Sequence, residues 1–560
     1  MHIDQIKESE KLFYDHIKNV VEQAKAFNEI NLVVGFPFNR HQKNLPAALK
    51  ILDEGLANLQ ELSHCLVICT SDALAAGMLE DIKQLDLQTP HLEFQVTPGS
   101  YGRSDSIRAM LEIASALEAD LVICAADLAE DKERVPQPDW ISRLVEPIRK
   151  EYDFVLTSFH GDHIEDLLGS LFMSPLLEVF YGYRLKGFLS GIYALSHDTV
   201  EDFCIEIKFW TGAIREYGID PWMVSRAILW NKKICEVELD VRLEVITLEK
   251  LSDAFRDSAR ALFECIKKDE DHWICSNVVI KMPDICSHKI IDVLPQPAYS
   301  LLDPDYLEKY SLHLYNPIYD DYLYTGIGDI AFASPKDYNK DYPVAGKAWT
   351  GMVYRLLYEY WFVAGVCKED IMNALTYAFI GRVTSFIEHI QVLTRELDSI
   401  NIYQDHLEHK ESVVSSEIDA AKEVQRRDFL RLREQFKSLW EKKKLETKPP
   451  IIPFDYLEFI PGIPVILPKK IEGQRDRVVF SEELFNRLQS RYHDAFSRFI
   501  HDGLGAPENA GSQTIIHFMN GFVGELEKTM ESLLPGNLYT EEGARQVIDG
   551  LFRLFHHPKT

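Results

Sequence analysis

The sequence has no Cys-x-x-Cys pair, no long uninterrupted apolar run and no excess of basic charge. Its nine cysteines are scattered, most of them in apolar surroundings such as Cys65-Leu-Val-Ile-Cys69, where cysteine behaves as a small hydrophobe. That spacing argues against a zinc or disulfide framework and for reduced core thiols in a cytoplasmic protein. The best membrane candidate, Met352 to Cys367, carries Arg355 and Glu359 and is too short to span a bilayer, so a buried helix is expected there. The opening residues, Met1 to Glu8, lack the apolar core of a secretory signal. Acidic residues outnumber basic ones by 88 to 60, a net charge of −28. A phosphate backbone needs a basic face, and an anionic membrane repels such a chain, so neither nucleic acid nor a lipid surface is an expected partner. Internal repeats and low-complexity segments are missing too.

What is present is ordinary globular material, and 560 residues are too many for one hydrophobic core. Residues 1–29 read as an amphipathic helical lead-in. Asn31 to Phe36 is an apolar run that stops at Pro37, as a buried strand would. Leu45, Leu49, Leu52, Leu56 and Leu59 follow at helical spacing. Cys65–Cys69, Phe94–Val96, Leu121–Cys124 and Phe154–Leu156 read as further strands, with a helix marked by Ile107, Met110, Leu111, Ala114 and Leu117 among them. Strands alternating with helices predict an α/β fold: a mostly parallel sheet sandwiched by helices. Ligands of such sheets bind beyond the carboxyl ends of the strands. From about residue 270 the alternation ends. Residues 283–345 look like an irregular connection, Trp349 to Ile400 like long apolar helices, and 415–444 like a charged helix. Repeated proline over Phe459–Pro468 predicts an extended stretch, and 481–556 returns to helix. The expected division is 1–270, a nucleotide-binding domain; 271–445, connection and helical domain; and 446–560, extended segment and C-terminal helices.

Four segments that follow strands carry candidate chemistry. Pro37, Phe38 and Asn39 end the first strand, where a proline-fixed turn can cup a base; an ordinary turn is the alternative. Gly102 and Arg103 open a helix whose first N–H groups and arginine can meet a diphosphate, with Arg108 a second candidate. The plainer account is a loop capped by Ser104. Asp127 follows the most apolar strand, where a carboxylate can hold Mg²⁺ or Mn²⁺; Glu130 and Asp131 read as exposed loop. In Tyr217-Gly-Ile-Asp-Pro-Trp222, Asp220 suits a helix cap with Pro221 in the first position. Alternatively, Asp220 and Trp222 face a sugar.

The order of these segments resembles that of the bacterial GT-A type glycosyltransferases related to mannosylglycerate synthase and glucosyl-3-phosphoglycerate synthase. The similarity runs from about residue 31 to 265 and weakens toward 400. Leu32-Val-Val-Gly-Phe-Pro-Phe38 resembles the family's base-binding strand, and Gly102-Arg-Ser-Asp-Ser-Ile-Arg108 its Gly-Lys-Gly-x-x-Leu-Arg, with Arg103 in the lysine place. Ala125-Ala-Asp127 falls at the metal-binding Asp-x-Asp. Tyr181–Arg184 and Leu189-Ser190-Gly191 resemble the acceptor loop, Tyr217–Met223 is the closest match, and Gly381–Phe386 resembles a motif of the helical region. Glu244 takes the place of a metal-binding histidine, Ala125 that of the first aspartate, and Ile192 that of an acid after the acceptor glycine.

The resemblance implies transfer of a sugar from a nucleoside diphosphate donor to a small hydroxylated acceptor, a glycerate-like acid or a sugar, with Mg²⁺ or Mn²⁺ and retention at the anomeric carbon. It implies catalytic roles for Asp127 and Asp220, metal contacts from Asp127 and Glu244, donor contacts from Pro37, Phe38, Asn39, Gly102, Arg103 and Arg108, and acceptor contacts from Ser190, Gly191 and Trp222. The alternative is a catalytically degenerate paralog serving as a partner or regulatory subunit. For either, the helical half supplies surface for self-association or for pairing with a related glycosyltransferase. A nucleotidyltransferase, which can share this sheet type, fits the Gly-Ile-Asp-Pro-Trp-Met segment less well.

Overall fold

The computed structural model describes residues 3–447, apart from residues 28 and 58 and the segments 39–44, 60–63, 72–75, 97–101, 125–135, 160–166, 187–189, 208–209, 211–212, 215–217, 240–247, 276–278, 287–303, 320–345, 364–366 and 401–406. Strands β1 (Leu32–Phe38), β2 (Cys65–Ser71), β3 (His91–Gln95), β4 (Asp120–Ile123), β5 (Phe154–Phe159), β6 (Tyr193–Leu195), β7 (Ile234–Leu239) and β8 (Asp284–Ile285) form one sheet. Their order is β3-β2-β1-β4-β6-β5-β7-β8. Every pairing is parallel except those of β6, which runs antiparallel to both β4 and β5.

The helices, in chain order, begin with α1 (Ile3–Ala24), α2 (Leu45–Ala57), α3 (Ala76–Lys83), α4 (Gly102–Ala116) and α5 (Trp140–Arg149). A π-turn at Gly169–Met173 leads into α6 (Ser174–Tyr181), followed by α7 (His197–Glu206), α8 (Ile219–Leu229), α9 (Leu248–Lys268) and α10 (Glu270–Cys275). Then come α11 (Pro304–Leu314), α12 (Gly346–Phe362), α13 (Lys368–Ile400) and α14 (Leu407–Thr447).

Alternating residues of each central strand enter two different cores, as the period of two requires. Leu32, Val34, Phe36 and Phe38 of β1 join Val67, Val122 and Val155 against the leucines of α2 and Trp140 of α5. Val33, Leu66, Leu121, Ile123 and Phe154 point the other way, toward α1, α4, α8 and α9. Both faces of the sheet are therefore covered, which is why β1 and β2 are buried along their whole length. β1 continues through Pro37 to Phe38 instead of stopping, because proline's fixed φ suits an extended chain. β6 to β8 did not stand out in the sequence.

The helices after residue 346 share the second core. Phe379 of α13 stacks on Phe255 of α9 at 4.0 Å. Trp349 Nε1 of α12 donates to the Leu171 carbonyl at 2.8 Å. Buried Arg433 of α14 donates to the carbonyls of Val179 and Trp273, each at 2.9 Å, and Trp440 Nε1 donates to Glu270. Leu12–Lys443 form one compact unit, so the core does not divide at 270. The expected extended segment and helices of 446–560 fall beyond the described residues, save for the end of α14. The expected irregular stretch 283–345 in fact contains β8 and α11, whose Leu307 enters the core. Among the described residues no helix is long and apolar enough to cross a membrane, and Met352–Tyr360 lie buried in α12. All nine cysteines are free, five of them buried; Cys275 and Cys367 are exposed rather than in the core.

Candidate active site

The antiparallel β6 decides where the site forms. Because it runs against β4 and β5, its leading residues Ser190–Ile192 lie toward the edge at which those strands end. Gly191 turns there with φ 72°, a left-handed conformation that favours glycine. Ser190 holds the turn from inside: its hydroxyl receives that of Thr157 on β5 at 2.5 Å and the Ile192 N–H at 3.1 Å. Ile192 itself is buried in the sheet core.

Two helices begin at the same place. The second residue of α4 is Arg103, and the second of α8 is Asp220. Arg103 Nη1 donates to Asp220 Oδ2 at 2.5 Å, and its Nη2 reaches the Gly191 carbonyl at 3.5 Å. The hydroxyl of Tyr193, on β6, donates to Asp220 Oδ1 at 2.8 Å. Both oxygens of the carboxylate are thus engaged at a helix N-terminus, where negative charge is favoured. Side-chain exposures of 28% for Arg103 and 12% for Asp220 leave the pair open on one side. Burial, and then the charge of Asp220, push the Tyr193 phenol well above its ordinary pKa, so it stays a hydrogen-bond donor.

Local sequence explains the convergence. Asp220 does not cap α8; the cap position is Gly218. A Cβ at Gly218 would come within 2.2 Å of the Ala261 side chain and 2.7 Å of the Ala213 carbonyl, so the helix starts where only glycine fits. That moves Asp220 into the first turn and frees its carboxylate to face sideways. Likewise α4 begins at Gly102, and Ser104 lies buried within its first turn instead of capping it. At the far end of α8, Arg226 pairs with Asp269, which also accepts the Tyr181 hydroxyl at 2.8 Å. The helix is held by charge at both ends.

Other expected site residues are placed elsewhere. Trp222 is 1% exposed, with its ring against Phe203 and Trp210. It is core, and its faces are not open to a sugar. The Arg108 guanidinium lies 4.2 Å from the Phe13 ring and 5.1 Å from Tyr14, fastening α1 to α4. Phe38 packs into the core beneath α2, and Pro37 is buried beside it in β1. Asn39, Asp127 and Glu244 lie outside the described residues, as do Ala125, Glu130, Asp131 and Leu189. Among the described residues no three acidic, histidine or cysteine side chains come together as a cation site.

Tyr193 and Thr157 were not singled out from the sequence. A tyrosine in an apolar strand is a signal in retrospect, since a buried phenol needs a partner. Nothing in the sequence names Asp220 as that partner.

No family model matches the chain, and no curated protein matches it in sequence. In structure it is similar to glucosyl-3-phosphoglycerate synthase from Mycobacterium tuberculosis in complex with phosphoglyceric acid, at 17% identity and a TM-score of 0.31 over 44% of this chain and 83% of that one. The same enzyme with Mn²⁺, uridine diphosphate and phosphoglyceric acid gives 18% identity and 0.32 over 44% and 81%. Mannosyl-3-phosphoglycerate synthase from Rubrobacter xylanophilus gives 17% and 0.31 over 45% and 78%.

Proposed function

We propose that this chain is a glycosyltransferase that moves a sugar from a nucleoside diphosphate donor to a small hydroxylated acceptor such as a glycerate-like acid. The observation that carries the reading is the cluster of Arg103, Gly191, Tyr193 and Asp220 at the edge of a mostly parallel sheet. Arg103 and the N-termini of α4 and α8 offer positive charge to a leaving diphosphate. Asp220, oriented by Tyr193, supplies a carboxylate to sugar or acceptor hydroxyls. Asp127 and Glu244 are hard oxygen donors that suit Mg²⁺ or Mn²⁺. Each follows a strand by a few residues, Asp127 after β4 and Glu244 after β7. When bound, such a cation would neutralise the charge of the leaving diphosphate. Retention at the anomeric carbon, a cytoplasmic location and self-association or pairing through the helical half belong to the same proposal.

One observation favours the degenerate reading instead. Asp220 already has Arg103 and Tyr193 as partners, and the Ile192 position offers only a buried apolar side chain. A thermal-shift screen of nucleoside diphosphate sugars, each with and without Mg²⁺ and Mn²⁺, separates the two. A metal-dependent rise in Tm, followed by transfer to glycerate or phosphoglycerate, supports the enzyme. A rise indifferent to metal with no transfer supports a binding paralog, and no rise with any donor overturns the enzyme and favours a scaffold role.

A further inference from the structure

A second cleft opens at the other edge of the sheet, where β5 and β7 begin. Its volume is about 650 Å³, within the ~300–1,000 Å³ usual for small-molecule sites. Four lysines line it: Lys150, Lys232, Lys233 and Lys281. Among the described residues only two carboxylates, Glu151 and Asp284, share the lining. In a chain of net charge −28 this is a local reversal of sign. Asp284 is engaged by the Tyr152 hydroxyl at 2.9 Å. Lys150 and Lys233 pair with the exposed carboxylates of Glu146 and Glu151, contacts of little worth in water that an incoming anion can replace. Lys232 is held by Asp202 at 2.5 Å. Lys281 makes no ion pair among the described residues.

Most of the rest of the lining is aromatic or apolar, with Asn231 and His272 among it. Tyr152 and the half-buried Tyr183 stand in the wall, with exposed Val279 and Met282 beside Lys281. At the floor, Tyr181 stacks on His272 at 6.3 Å and is fixed by its hydrogen bond to Asp269. Aromatic walls with lysines at the rim suit a ligand that has a flat body and an anionic end. We infer that this cleft binds an organic phosphate with an aromatic body, of the size of a nucleoside monophosphate, separately from the Arg103–Asp220 site. An occupant would touch Ile228 and Leu229, the last turn of α8, whose first turn carries Asp220 about 12–14 Å away at 1.5 Å per residue.

The test is calorimetric titration of adenosine monophosphate into the full chain carrying Arg103→Ala, which removes the guanidinium of the first site, without added metal. The same titration is made after adding Lys233→Glu and Lys281→Glu, two exposed positions whose change leaves the core intact, as circular dichroism would verify. Binding is expected in the Arg103→Ala chain and weaker by about tenfold or more in the triple variant, because charge reversal sets repulsion in place of attraction. Adenosine, which lacks the phosphate, should bind far more weakly. Equal affinity in both chains, equal affinity for adenosine, or no heat with the monophosphate in the Arg103→Ala chain would each overturn the inference. None of these outcomes depends on whether the chain transfers sugars.

Discussion

Arg103 and Asp220 are 117 residues apart in the chain, yet a single hydrogen bond of 2.5 Å joins the first turns of their two helices. The bond couples α4, on the β3–β4 side, to α8, which precedes β7. It also engages the two groups that the proposed reaction needs most. Removing either partner should be felt in stability and in donor binding together.

For Arg103→Ala, the expected loss of stability is ~1–2 kcal/mol, since the Asp220 carboxylate keeps Tyr193 but loses its cation in a partly buried place. Asp220→Asn should cost a similar amount. Because they remove one shared contact, the double variant should lose less than the sum. Urea unfolding of the four proteins measures this, and strict additivity would show that the pair contributes nothing.

Tyr193→Phe deletes one hydroxyl and keeps the ring that stacks on Phe154 at 5.8 Å. If Tyr193 orients Asp220, kcat should fall by roughly tenfold with little change in donor KM, the pattern of a contact felt mainly in the transition state. A rise in KM at constant kcat would assign it to ground-state binding alone.

Asp127→Asn tests the metal proposal. It removes a charged oxygen ligand, so metal-dependent donor binding should vanish while the melting curve without metal stays where it was. Asp131→Asn should change neither. Two variants that both match the parent in metal-dependent binding would remove Asp127 from the site.

Tyr181, Tyr193 and Tyr354 are all buried, and burial raises each phenol well above its ordinary pKa of 10.0. A folded-state pKa above the unfolded one means that the native state retains the proton longer. The contribution is fully present below about pH 10 and is lost as pH rises toward the folded values. Stability should therefore fall above about pH 10, and ultraviolet titration should show these phenols ionising only as the chain unfolds. Ionisation of every tyrosine near pH 10 with the fold intact would contradict the burial.

Trp349→Ala should cost about 3–5 kcal/mol, the usual range for a buried large aromatic, because the indole spans the helical half and the π-turn before α6. For the same reason a chain ending at residue 270 should not yield a folded sheet domain, since Phe255 would lose Phe379 and Phe172 would lose Trp349. A cooperative unfolding transition from such a fragment would show that the two halves fold independently.

Sequence alone was enough for the elements with strong local signals. Apolar runs such as Leu32–Phe36 and Cys65–Cys69 can only be buried strands once helices alternate with them, and the leucine spacing of α2 leaves one face to bury. It also marked Arg103, Asp220 and Gly191 as worth attention. The tertiary structure decided everything that depends on distant neighbours. β6 is three residues long, too short for periodicity to show, and only its insertion between β4 and β5 delivers Tyr193 to Asp220. Trp222 and Arg108 carry the same residue types as a sugar platform and a phosphate clamp, but helical rotation turns one into the core and the other toward Phe13. The start of α8 was set by an alanine 43 residues later, Ala261, pressing on Gly218. Spacing along a chain fixes which face of a helix a side chain occupies; only packing decides what that face meets.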